Sequence, residues 1–109
     1  MKYKSINIRE LKKINDNQEK FILIDVRTYA ERAQAEIPIK SIHIPIDQIP
    51  SKINKLNAND NIIIYCKSGK RSARVCEYLI QNNFKNILNL SGGILAWAEE
   101  ISPELLFNL

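Results

Sequence analysis

Two apolar runs constrain this chain more than any other feature: Phe21-Ile22-Leu23-Ile24-Asp25-Val26 and Asn61-Ile62-Ile63-Ile64-Tyr65. A strand with one wet face alternates polar and apolar residues. A near-continuous run rich in β-branched residues instead suits a strand covered on both faces, as in parallel sheets. Parallel neighbours need long crossovers, usually helical. Between and after the runs the apolar period does change to a helical one. The expectation is an α/β domain with a mainly parallel sheet.

The rest of the chain fits that frame. Asn7 can cap a first helix with Ile8, Leu11 and Ile14 on one side. Thr28 and Glu31 form a T-x-x-E capping box that opens a short helix, with Pro38 beyond its end. Ser41-Ile42-His43-Ile44 reads as a short strand closed by Pro45, and Asp47 to Leu56 as a short helix carrying Ile49, Ile53 and Leu56. The strongest helical stripe is Ser72, Val75, Cys76, Leu79 and Ile80, stopped at Asn82-Asn83. Asn86 to Leu90 reads as a strand, and Gly92-Gly93 leads a helix with Ile94, Trp97, Ala98 and Ile101 on one face. The apolar tail residues Leu105, Leu106, Phe107 and Leu109 are expected to pack back on the body, a partner contact being the alternative.

A length of 109 residues makes one domain, 1–109, large enough for a core without disulfide or metal staples. No apolar run approaches the ~20 residues of a membrane span, and no signal-peptide stretch follows Met1. Two cysteines without a framework fit a reducing compartment, so a cytoplasmic location is expected. Two Cys and one His at these spacings do not make a zinc site, and no cofactor is implied. The net charge of +4 is spread along the chain and does not predict nucleic-acid binding. The exception is the group Lys67, Lys70, Arg71 and Arg74.

That group surrounds the segment that carries chemistry. The second buried run leads straight into Cys66-Lys67-Ser68-Gly69-Lys70-Arg71, and the best helix follows. In open α/β sheets, ligands bind beyond the carboxyl ends of strands. A loop entering a helix N-terminus can turn successive N–H groups on one anion, and Gly69 supplies the backbone freedom for the curl. Such a setting favours a thiolate. A free thiol is only about 3% ionised at pH 7; a downward shift of about two units would raise that to roughly three-quarters. Lys67, Lys70 and Arg71 are expected to add positive charge, and Arg71 a planar fork for anionic oxygens.

Cys76 lies inside the apolar stripe and reads as buried and inert. From a helix start near Arg71 it sits roughly 7 Å along the axis, which disfavours a disulfide with Cys66. His43, the sole histidine, sits between Ile42 and Ile44 and reads as a structural or edge residue rather than a general base.

Four stretches, in order, resemble the rhodanese homology family along nearly the whole chain. They are Leu23-Ile24-Asp25-Val26-Arg27; Ile37-Pro38 with Ile42-His43-Ile44-Pro45; Tyr65 to Ser72 around the cysteine; and Leu90-Ser91-Gly92-Gly93-Ile94-Leu95-Ala96-Trp97. The resemblance implies a three-layer α/β/α domain with a five-stranded, mainly parallel sheet. It implies Cys66 as sulfur acceptor, a six-residue loop from Cys66 to Arg71 that binds substrate, and Asp25 and Arg27 as nearby supports. One departure stands out. Ala35-Glu36 and Ile39-Lys40 replace the Gly-His and Gly-Ala that usually flank the Ile-Pro pair. That puts the local turn and a pocket wall in question.

The expected activity is sulfur transfer from a small anionic sulfane donor such as thiosulfate, through a Cys66 persulfide, to a thiol or protein acceptor. The alternative is a relay module that exchanges sulfur with protein partners and uses free thiosulfate poorly. Phosphatase chemistry is disfavoured because Arg71 follows Cys66 with four residues between; cysteine phosphatases have one more. A binding domain without catalysis is disfavoured because both Cys66 and Arg71 are present. Neither a membrane nor a nucleic-acid partner is expected, and the oligomeric state is left open.

Overall fold

A computed structural model describes residues 3–109. Its strands are β1 (Lys4–Ile6), β2 (Ile22–Asp25), β3 (Ile42–His43), β4 (Asn61–Tyr65) and β5 (Asn86–Leu90). They form one sheet in the order β1-β5-β4-β2-β3, and every neighbouring pair is parallel. The helices are α1 (Ile8–Asp16), α2 (Tyr29–Gln34), α3 (Ile49–Lys52), α4 (Lys70–Gln81) and α5 (Gly93–Glu100). No helix among the described residues is long and apolar enough to cross a membrane.

The lack of alternation in the two apolar runs has the expected cause, which is a core on each side of the sheet. Ile62 and Ile64 of β4 join Ile24, Val26, Val75, Cys76 and Leu79 on one face. Ile63 and Tyr65 join Leu23, Ile8, Leu11, Ile94 and Trp97 on the other. The first face is covered by α4 and residues 46–55, the second by α1 and α5, which makes three layers. Burial of Val75 and Leu79 contributes at most about 1.5–3 kcal/mol each.

Local signals read from sequence operate as their chemistry requires. Asn7 and Thr28 both close capping boxes, with Glu10 and Glu31 at the third helical position. Asn82 caps α4, and Asn83 turns the chain at φ 69°. The segment from Asp47 to Leu56 is not one helix. It is a 3₁₀ turn (Ile46–Gln48), the single α-turn of α3, and a second 3₁₀ turn (Ile53–Lys55). Pro50 in its first turn has no N–H to donate. Ile49, Ile53 and Leu56 still pack on the same core. The tail divides: Leu105 and Leu109 pack on the second face, whereas Leu106 and Phe107 are exposed.

This architecture brings the ends of β2, β3 and β4 together. In register, Asp25 stands beside Tyr65 on one side and His43 on the other. Cys66 is the next residue beyond β4. A cavity of about 730 Å³ lies at the opposite end of the sheet, lined in part by Lys4, Phe21, Asn61 and Asn86. Neither cysteine lines it; Cys66 stands at the carboxyl end of the sheet.

Candidate active site

The loop after β4 is shaped by three glycines. Gly69, at φ +102°, is the residue before α4, a conformation that costs other residues about 1–2 kcal/mol. A Cβ there would lie 3.3 Å from the Gly92 nitrogen. Gly92-Gly93 opens α5 with both residues at positive φ, and a Cβ on Gly93 would collide with the carbonyls of Cys66 and Lys67. This close approach has a function. The N–H groups of Ile94 and Leu95 donate to the Cys66 and Lys67 carbonyls, each at 3.0 Å. The α5 terminus therefore holds the loop's acceptors, and the loop's own donors remain free to turn inward.

They turn onto sulfur. The Gly69 N–H donates to Cys66 Sγ at 3.1 Å and the Ser72 N–H at 3.4 Å; the Ser72 hydroxyl lies 3.3 Å away. Burial alone would push the Cys66 thiol up. The Ser72 hydroxyl and the N–H groups of Ser72, Gly69 and Ser68 outweigh it, so the thiol sits below its ordinary value. Hydrogen-bond donors do this rather than the loop's basic side chains: Lys67 and Lys70 are exposed, as is Ser68.

Arg71 is placed differently from expectation. Its guanidinium fork is engaged by the Glu31 carboxylate at 2.7 and 2.8 Å. Glu31 is thereby held down at about 2, chiefly by Arg71 and also by Thr28, despite partial burial. One carboxylate thus caps α2 and ties it to the first turn of α4.

Asp25 and Arg27 lie deeper. Arg27 is 1% exposed and donates to both oxygens of Asp25, at 3.0 and 2.8 Å. It also donates to the Ala35 carbonyl at 2.7 Å and sits 5.4 Å from the centre of the Tyr65 ring. Burial would raise the Asp25 carboxyl, but the Arg27 bonds keep it below the usual carboxylate range. The pair ties the end of β2 to the Ala35 carbonyl beyond α2. Arg32 adds a contact to Asp25 at 3.3 Å and another to Glu36 at 3.2 Å. His43 Nε2 donates to the Arg27 carbonyl at 2.7 Å, with its ring edge-on to Tyr29, which is a structural placement.

Four residues here were not singled out from sequence as functional: Ser72, Asn89, Glu31 and Tyr65. Ser72 falls on the apolar stripe of α4, and its burial there is the available hint. Asn89 stands within a strand whose neighbours Ile87 and Leu90 are apolar. A polar residue in such a run is the only signal, and its partners are distant in sequence.

The arrangement is a cysteine sulfur cradled by main-chain donors, with paired charges around it. Residues 7–100 match the family model described as Rhodanese-like domain. The chain belongs to the rhodanese-like domain family. Relatives agree over most of its length. A protein named sulfurtransferase from Allochromatium vinosum is 41% identical over 85 residues, 78% of each chain. The adenylyltransferase and sulfurtransferase MOCS3 of Arabidopsis thaliana is 25% identical over 114 residues, covering 90% of this chain and 24% of that one. Among solved structures, a rhodanese-like domain protein from Staphylococcus aureus superposes with a TM-score of 0.82 at 40% identity. The match covers 90% of this chain and 94% of that one. The five-stranded parallel sheet with helices on both faces is the architecture this family shares with the chain.

Proposed function

We propose that this protein transfers sulfane sulfur through a persulfide on Cys66. The observation that carries the reading is the convergence of the Gly69 and Ser72 N–H groups on Cys66 Sγ. These donors stabilise the attacking thiolate, and they suit the anion of a terminal persulfide equally well. With thiosulfate as donor, the thiolate attacks the outer sulfur. A sulfur–sulfur bond forms to Cys66, the original one breaks, and sulfite leaves with its electron pair. An acceptor thiolate then attacks the outer sulfur, forms its own persulfide and releases the Cys66 thiolate. Lys67, Ser68, Gly69, Lys70 and Arg71 form the wall that the donor meets, and Asp25 and Arg27 support it from below. Residues 1–109 act as one domain, and a reducing compartment such as the cytoplasm suits its two thiols.

Intact mass after incubation with thiosulfate tests this. The expected product is an adduct of about one sulfur atom, removed by cyanide or a dithiol, present in Cys66→Ser only as background and undiminished in Cys76→Ala. An adduct that survives in Cys66→Ser overturns the assignment.

A second reading has its own support. In a sulfur relay, donor and acceptor are proteins, and the match to one part of MOCS3 is compatible with such a module. The occupied fork of Arg71 favours this version. Glu31 stays ionised at neutral pH and neutralises the guanidinium that a free oxyanion would seek. A partner's persulfide needs only the N–H cradle. Kinetics with thiosulfate and with an alkyl persulfide separate the two: the relay predicts a kcat/KM at least about tenfold higher for the persulfide. Efficient turnover of thiosulfate at low concentration argues against the relay.

A further inference from the structure

Cys66, Ser72 and Asn89 form a buried chain of hydrogen bonds whose protons can be counted. The Asn89 amide nitrogen lies 3.2 Å from the Gly69 carbonyl oxygen, which can only accept. That fixes the orientation of the carboxamide, and its oxygen therefore faces Ser72. The Asn89 oxygen and the Ser72 hydroxyl oxygen are 2.6 Å apart. A carboxamide oxygen has no proton to give, so the hydroxyl donates to it. Ser72 has one hydroxyl proton, and in this arrangement it is committed. Toward Cys66, at 3.3 Å, the hydroxyl then offers only a lone pair. This suits a thiol that donates S–H to Ser72 while its sulfur accepts from the Gly69 and Ser72 N–H groups. It does not suit a thiolate.

We propose that Asn89 is a positioning residue that acts through Ser72, its carboxamide oxygen competing with the Cys66 thiolate for the one Ser72 hydroxyl proton. When Cys66 ionises, its proton leaves to solvent and the Ser72 hydroxyl rotates toward sulfur. The Asn89 oxygen is then left without its donor in a site where Ser72 is fully buried and Asn89 nearly so. Asn89 thus restrains ionisation, and the hydroxyl's help to the thiolate comes only after this exchange. The competition limits how far the cradle lowers the Cys66 thiol, because the Ser72 hydroxyl reaches the sulfur only by giving up its bond to Asn89.

Other charged and titratable groups near the sulfur do not duplicate the effect. Cys76 and Arg71 come from α4, with Arg71 paired to Glu31 of α2. Asp25 of β2 is paired with Arg27, and Lys67 and Lys70 are exposed. Strand β5 carries no ionisable residue.

The inference rests on the reading of Cys66 as the reacting thiol only for its consequence. Its test reads acidity alone, so failure here leaves the sulfur-adduct experiment untouched. The thiolate is titrated by its ultraviolet absorbance between pH 5 and 10. Cys76, pushed up to about 12, stays silent over that range. Asn89→Ala is expected to lower the Cys66 midpoint by about half a pH unit or more, since the hydroxyl proton is then free for sulfur. In a Ser72→Ala background the same substitution is expected to shift it by less than about 0.2 units, because the path is gone. Asn89→Val, whose side chain suits a strand, is the companion variant if alanine is too unstable to titrate, and the same downward shift is expected. An unchanged or raised midpoint in either Asn89 variant overturns the proposal. So does a shift that persists in full without the Ser72 hydroxyl.

Discussion

Cys66 and Cys76 are ten positions apart, both free and both buried, at 1% and 0% exposure. They even belong to the same core cluster. Yet their acidities move in opposite directions. Cys66 is held below its ordinary value, while burial pushes Cys76 up to about 12. Burial penalises both thiolates, so it cannot be what separates them. The difference is the company of unpaired donors. Cys66 precedes α4, where N–H groups lack intrahelical partners; Cys76 is in its second turn, where the N–H groups are committed to the helix. Thiol acidity here follows position along a helix rather than exposure.

Alkylation gives the largest test of that contrast. At pH 8, a group near 12 is about 0.01% thiolate, whereas one below 9.0 is more than roughly a tenth ionised. Since the two thiols are equally covered, iodoacetamide is expected to modify Cys66 at least roughly 10³-fold faster in the folded protein, as peptide mapping would read. Comparable labelling of the two would mean that access, not acidity, governs both.

Gly69→Ala attacks the cradle itself. Alanine at φ +102° costs about 1–2 kcal/mol, measurable by urea unfolding. Relief of that strain turns the Gly69 N–H away from sulfur, and Cys66 then moves toward the behaviour of Cys76. A loss of one donor is expected to slow its alkylation at pH 7 by roughly tenfold. If stability falls while alkylation stays at the wild-type rate, the Gly69 donor is not what sets the contrast.

How much of this was legible beforehand follows from the range over which each signal acts. The ends of β4 and β5, the Asn7 cap, the Thr28–Glu31 capping box and the stripe of α4 come from short-range chemistry, and the structure has them where the sequence placed them. Strand β1 escaped the residue reading. It is three residues long, sits at the sheet edge and buries only Ile6, so it has no pattern to detect. The break in residues 46–55 depends on packing that a stripe of three apolar residues cannot reveal. At the site, the curl of the Cys66 loop and the burial of Cys76 were readable because each belongs to one contiguous segment. The Glu31 clamp on Arg71 spans forty positions and the Asn89 bond to Ser72 seventeen. Nothing local in Glu31 separates a cap from a clamp, and here it is both.

The smallest effect probes the same contrast through stability, with opposite signs for the two thiols. Cys66 has a folded value below the unfolded one. Its contribution is present above 9.0 and fades as pH falls through the folded value. Cys76 is the reverse: its contribution is complete below 9.0 and is lost as pH rises toward 12, because only the unfolded chain can ionise it. At pH 9.5 that loss amounts to about 0.8 kcal/mol. Tyr65, raised from 10.0 to about 12, adds its own loss mainly at higher pH. Urea unfolding at pH 7 and 9.5 is therefore expected to show wild type losing about 0.8 kcal/mol more than Cys76→Ala over the interval. The alanine protein begins from a lower stability, since a buried group has been removed, so only the difference between the two intervals is diagnostic. Equal losses in the two proteins would mean that Cys76 ionises as readily folded as unfolded, and the contrast between the cysteines would shrink to the Cys66 side alone.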